Sequence, residues 1–103
     1  DKANSFGIND IIIDPGFGFS KTTQQNYELL NNLEFLKEFQ RPIIIGISRK
    51  SMIYKTLDIT PEKALNGSSV LHTISLMKGA NILRTHDVKE AVECVKIINQ
   101  LNG

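Results

Sequence analysis

The chain has 103 residues, a formal net charge of +1, 41% hydrophobic residues and 22% charged ones, the balance of a single globular domain. That charge excludes a large nucleic-acid footprint, which needs excess Lys and Arg on one face, but leaves room for a small cationic pocket. The one cysteine, Cys94, excludes an intramolecular disulfide, and no apolar run approaches a membrane span or a signal peptide.

The expectation is therefore a cytoplasmic protein with neither a membrane nor a nucleic-acid partner. Cys94 falls among Val92, Val95 and Ile98 in a helical pattern and reads as a packed thiol; no Cys/His spacing suggests a metal site in this segment. The chain opens on Asp1 without a methionine, and the expectation is a truncated or processed product.

In chain order, the first element is "IIID", residues 11–14. It does not alternate with polar residues, which suits a parallel strand buried on both faces. "QNYELLNNLEFLKEF" follows as a helix with Leu29, Leu30, Leu33 and Leu36 along one stripe, closed before "RP". "IIIGIS", residues 43–48, reads as a second strand, and "SRKSMIYKTL" starts a short helix after Arg49. "TPEKALNGSSVLHTISLMKG" restarts as a helix, with Thr60 as N-cap, Pro61 at the first helical position and Gly79 as the stop. "NILR", residues 81–84, is a third strand. "DVKEAVECVKIINQLNG" is the last helix, with Asp87 and Glu90 close to a capping box. Its apolar stripe is Val88, Ala91, Val92, Val95 and Ile98.

The order is thus βαβαβα, and Asp14, Ser48 and Arg84 recur at intervals of 34 and 36 positions. An eight-unit (β/α) barrel uses about 30 residues per unit. Three units cannot close one, so the pattern fits either a small three-layer sandwich or part of a larger barrel.

Ligands in α/β folds bind at the carboxyl ends of strands, and each strand here ends in suitable groups. Asp14 can accept two parallel hydrogen bonds from an amino-heterocycle edge, and Phe17 and Phe19 can face an aromatic ligand. Equally, Asp14 can cap a turn while the phenylalanines join the core. Ser48, Arg49, Lys50 and Ser51 place two cations beside two hydroxyls at a helix start, which suits an anion; a solvated turn is the plainer alternative. Arg84 and His86, two apart at the third strand end, can hold a phosphate. His72, in mid-helix, is given no catalytic role. No single motif decides the matter, but three successive strand ends with such groups point to one site.

The strings "DPGFGFSK", "GISRKSMI", "ALNGSSVLHTISLMKGA" and "ILRTHDVKEAV" together resemble the C-terminal part of the dihydropteroate synthase family, over essentially the whole chain. The resemblance implies that residues 1–103 are the last three βα units of a pterin-binding (β/α)₈ TIM barrel. It implies a transferase of folate biosynthesis that condenses a dihydropterin diphosphate with 4-aminobenzoate, releases diphosphate, is assisted by Mg²⁺ and is inhibited by sulfonamides.

By position, the resemblance gives Asp14 and Lys50 to the pterin. Arg84 would stack on the pterin and share the diphosphate with His86, and Ser51 would receive the aminobenzoate carboxylate. Gly18 and Phe19 would line the aminobenzoate pocket, with Lys21 and Arg49 nearby. Lys50, Arg84 and His86 form the implied catalytic group. The Mg²⁺ ligand is expected from the N-terminal part of such a barrel.

The alternatives are a pterin-dependent methyltransferase, which has no diphosphate to hold, a non-catalytic pterin- or phosphate-binding fragment, and an unrelated small α/β domain. An incomplete barrel leaves strand edges unpaired. The isolated 103 residues are therefore expected to be inactive or nearly so, and to self-associate as a homo-oligomer or dimer.

Overall fold

The structure, a computed structural model, describes residues 12–18 and 21–103. Strand β1 (Ile44–Ile45) pairs in parallel with β2 (Ile82–Leu83), with Ile44 opposite Ile82 and Ile45 opposite Leu83. On the other side, Ile13 forms a parallel bridge to Ile43, with its N–H donating to the Pro42 carbonyl at 2.8 Å. Three successive apolar runs therefore lie side by side and parallel, as their composition predicts. Only the side facing the helices is fully buried: Ile43, Ile45 and Ile47 are covered, whereas Ile12 and Ile82 are exposed and Ile44 is half-buried. The expectation of strands buried on both faces is corrected. Among the described residues, no layer covers the second face.

The helices differ from the sequence reading in instructive ways. Helix α1 (Thr23–Asn31) begins in a capping box, in which the Thr22 hydroxyl accepts from the Gln25 N–H and the Gln25 side chain accepts from the Thr22 N–H. The expected continuous helix to residue 39 breaks at Asn32, where the Asn32 side-chain amide donates to the Glu28 carbonyl at 2.8 Å and competes with the ladder. The chain continues as a 3₁₀ helix, Leu33–Phe39. Leu30 and Leu33 still reach the core, and Leu29 and Leu36 pack against it.

Helix α2 (Ser51–Leu57) follows β1, as expected. The next helix does not start at Pro61: Pro61–Lys63 is a separate 3₁₀ turn without a Thr60 side-chain cap, and α3 runs from Leu65 to Met77. Gly79, at φ +111, ends α3; its N–H donates to the Leu76 carbonyl and the Ala80 N–H to that of Ser75. This is the paired reverse bonding of a Schellman stop. Helix α4 (Val88–Asn102) packs on α3 through Ala91 and Ile98, but Val88, Val92 and Val95 are exposed. Its predicted stripe is therefore only partly buried. The core lies between the strands and α1, α2 and α3, and includes Phe17, Met52, Ile53 and Leu71.

Candidate active site

The carboxyl ends of the three strands converge, and their polar residues make a connected network. Asp14 follows the Ile13 bridge. Its Oδ1 accepts from the Gly16 N–H at 2.9 Å, which fixes a tight turn, and its Oδ2 lies 3.4 Å from both Nη atoms of Arg84. Asp14 thus caps a turn with one oxygen and turns the other toward Arg84. Phe17 is in the core, 1% exposed. Phe19, expected to line an aromatic pocket, lies outside the described residues, as does Ser20.

The loop after Asp14 is pinned from two sides. The Gly18 N–H donates to Oδ1 of Asn26, a fully buried side chain on α1, at 2.9 Å. The Lys21 ammonium donates to the Gly16 carbonyl at 3.0 Å. Gly18 itself sits at φ +89, which a side chain rarely adopts, and faces the stem of Lys50. Asn26 escaped the sequence reading because a polar residue inside a helical pattern looks like solvent-facing surface.

From the second strand end, the Lys50 ammonium crosses to the Phe17 carbonyl at 2.6 Å. Its pKa is lowered, first by burial and next by the nearby Arg84 charge. Ser51 opens α2. Arg49 has a structural part that the sequence reading did not include. Its guanidinium grips both oxygens of Asp87, through Nε at 2.9 Å and Nη2 at 2.8 Å, while Nη1 donates to the Pro61 and Glu62 carbonyls at 2.9 Å. Its backbone is left-handed, at φ +54, and its N–H donates to the buried Ser68 hydroxyl. This clasp also explains two departures from the sequence reading. Asp87 precedes α4 but does not cap it, because Arg49 holds its carboxylate. The turn at Pro61–Lys63 directs two carbonyls to the same guanidinium. The hydrogen bond between the pair holds Asp87 below the usual carboxylate range and raises Arg49.

At the third strand end, Arg84 lies across Gly46, where an added Cβ would fall on the guanidinium. His86 is exposed, and its Nδ1 lies 3.0 Å from the hydroxyl of Ser48, itself 5% exposed. Gly46 and Thr85 were given no ligand-site role in the sequence, whereas Ser48 was read there as one of two hydroxyls suited to an anion. The signal available for Gly46 was a lone glycine inside an isoleucine run.

Two clefts result. One, about 170 Å³, is lined by Gly46, Ser48, Lys50, Arg84, Thr85 and His86. The other, about 490 Å³, is lined by Phe17, Gly18, Arg49, Lys50, Ser51, Tyr54 and Pro61. The first is polar and cationic. The second brings Tyr54 and the Ser51 hydroxyl together with Arg49 and Lys50. Lys50 lines both. Among the described residues, no three His, Cys, Asp or Glu side chains converge as a metal site would require. A further groove on the helical side, about 450 Å³ and lined by Tyr27 and Lys78 among others, is remote from the strand ends.

Comparison with known proteins agrees with this geometry. Residues 1–86 match the family model described as pterin binding enzyme. The chain is 44% identical over 88 residues to the dihydropteroate synthase of Escherichia coli K12, covering 85% of this chain and 31% of that protein. It is also 44% identical over 98 residues to the Clostridium beijerinckii dihydropteroate synthase, covering 92% and 36%. Its fold superposes on the Yersinia pestis dihydropteroate synthase with a sulfonamide drug complex at a TM-score of 0.91 and 40% identity, over 98% of this chain and 38% of that one. For the Thermus thermophilus dihydropteroate synthase in complex with 6HMPPP the TM-score is 0.88 at 34% identity, over 97% and 41%. The chain spans about a third of the length of these curated relatives. It therefore belongs to the pterin-binding enzyme family, and its three parallel βα units match the C-terminal part of the dihydropteroate synthase barrel.

Proposed function

We propose that these residues form the C-terminal substrate face of a dihydropteroate synthase, which joins a dihydropterin diphosphate to 4-aminobenzoate. The observation that carries the reading is Lys50, the residue that lines both the cleft of Arg84 and His86 and the cleft of Ser51 and Tyr54. A reaction that joins two substrates needs their reacting atoms at such a boundary.

In this reading Asp14 receives the edge of the pterin, Lys50 contacts the pterin, and Arg84 stacks on it. Arg84 and His86 hold the diphosphate. Ser51 receives the aminobenzoate carboxylate, and Gly18 and Phe19 line that pocket beside Lys21. Arg49 acts by holding the loop that presents Lys50 and Ser51.

The pterin methylene carbon loses its bond to the diphosphate oxygen, and the bonding electrons leave with the diphosphate. The amine lone pair then forms the new C–N bond, and the nitrogen gives up a proton. Cations fixed around the departing group favour that charge separation without reorganising. Lys50, as a partly desolvated cation, interacts more strongly there than it would in water.

The residues described do not by themselves build a Mg²⁺ site, and no step above is routed through a metal. A Mg²⁺ ligand remains expected from the rest of the barrel. Sulfonamides would compete in the aminobenzoate cleft. A homo-oligomeric, cytoplasmic protein completes the reading; among the described residues no helix is long and apolar enough to cross a membrane. The 103 residues alone are expected not to turn over.

Calorimetric titration of the dihydropterin diphosphate into the chain, with Mg²⁺ present, tests the reading. Micromolar binding that is lost in Arg84→Ala supports it. No binding by a demonstrably folded chain contradicts a preformed site at these strand ends.

A further inference from the structure

Ser48, read in the sequence as one of two hydroxyls suited to an anion, has a different set of partners in the structure. It is nearly fully buried, yet its hydroxyl meets three groups from the third strand end. The Thr85 hydroxyl donates to Ser48 Oγ at 3.3 Å, and the His86 N–H donates to the same oxygen at 3.3 Å. His86 Nδ1 lies 3.0 Å away. Thr85 is held in turn, since the Asp87 N–H donates to its Oγ1 at 3.0 Å.

A serine hydroxyl has one proton and two acceptor sites. With both acceptor sites used by Thr85 and the His86 N–H, its proton points to His86 Nδ1. The neutral ring then carries its own proton on Nε2, which has no partner among the described residues. We propose that Ser48 is a positioning residue that holds Nδ1 of His86 and presents Nε2–H to an anion in the Arg84 cleft, with Thr85 orienting the serine.

A hydroxyl suits this task better than a carboxylate would. A carboxylate at Nδ1 would favour the charged ring at all times. A hydroxyl can donate to a neutral ring or accept from an imidazolium. When the ring gains a proton at Nδ1, the Ser48 proton turns to Thr85 Oγ1 and the Thr85 proton turns away. No bond to the ring is lost, and Nε2 keeps its direction.

The proposal rests on the reading of this cleft as a diphosphate site. The test is ¹⁵N NMR of the His86 ring in the full chain, alone and titrated with inorganic pyrophosphate, for the wild type, Ser48→Ala and Thr85→Val. An amide spectrum checks each fold, and Thr85→Val serves if Ser48→Ala does not fold.

The expected wild type is the Nε2–H tautomer, with Nε2 as the nitrogen that responds to pyrophosphate. Ser48→Ala should mix the tautomers and weaken binding by about tenfold, and Thr85→Val by about threefold, the scale of a lost hydrogen bond. A folded variant with the wild-type tautomer ratio and affinity overturns the proposal and leaves the functional reading intact. A wild type that does not bind pyrophosphate contradicts a preformed diphosphate site at these strand ends, and overturns the proposal with it, because Nε2–H would have no anion to meet.

Discussion

Arg49 and Asp87, 38 positions apart, form a two-bond ion pair that ties the loop after β1 to the start of α4. The same guanidinium reaches two further carbonyls, so one side chain fixes the relative position of the loops carrying Lys50 and His86. Shared bidentate geometry of this kind is specific to arginine.

Arg49→Lys should therefore not behave as a conservative change. Lysine keeps the charge but cannot make two parallel bonds to Asp87 while also reaching Pro61 and Glu62. The thermal midpoint should fall clearly in Arg49→Lys and further in Arg49→Ala. Lys78→Ala, which breaks the looser 3.5 Å pair with Glu34, should change it little. Equal midpoints for Arg49→Ala and Lys78→Ala in calorimetric scans would count against the clasp.

The clasp also has a pH signature. Asp87 is held below its ordinary carboxylate value, so its contribution is present above the unfolded value of about 4 and is lost as pH falls through the depressed folded one. Asp87→Asn removes this component. Its urea midpoint should accordingly fall less steeply than that of the wild type on acidification below about pH 4. Parallel curves would show that the pair adds nothing to acid stability.

His72 should show a different pH dependence. It is 2% exposed, its Nε2 is buried with no partner among the described residues, and burial lowers its pKa against a smaller opposing effect from Asp87. The folded chain keeps it neutral, while the unfolded chain takes up a proton near pH 6.5. Stability should therefore drop as pH falls through about 6.5, until the folded form is protonated as well. His72→Leu should lose less stability than the wild type between about pH 7.5 and pH 5.5. An equal loss in both proteins would move the effect to another group.

Two glycines separate binding from stability. At Gly46 an added Cβ would fall on the guanidinium of Arg84, the far end of a flexible and exposed side chain. Gly46→Ala should leave the thermal midpoint almost unchanged while weakening diphosphate affinity by about tenfold, as Arg84 is displaced from a charge-assisted contact.

Gly67, on α3, would instead meet the buried Ile53 and the side chain of Leu57. Ile53 cannot move away, so Gly67→Ala should cost about 1–3 kcal/mol by overpacking, with ligand affinity per folded molecule unchanged. Denaturant titration and calorimetry on both variants check the contrast; a stable Gly67→Ala would mean that α2 and α3 can separate freely.

Local chemistry was legible in the sequence wherever a residue acts through its own neighbours. Continuous isoleucines gave parallel strands, Gly79 gave a helix stop, and the strand-end positions of Asp14, Lys50, Arg84 and His86 gave the place where polar groups converge. These features follow from backbone bonding, dihedral preference and side-chain period. Tertiary structure decided what depends on competition between distant partners. Asp87 reads as an N-cap, but Arg49 takes it because a bidentate charged partner outweighs one backbone N–H. Pro61 reads as a helix start, but its carbonyl is drawn to the same arginine. Asn26 reads as an ordinary polar residue, and Ser48 as a hydroxyl for an anion, until the fold brings Gly18 and His86 to them. The valines of α4 form a regular stripe, yet periodicity sets only which residues share a face. What that face meets depends on the other elements of the fold.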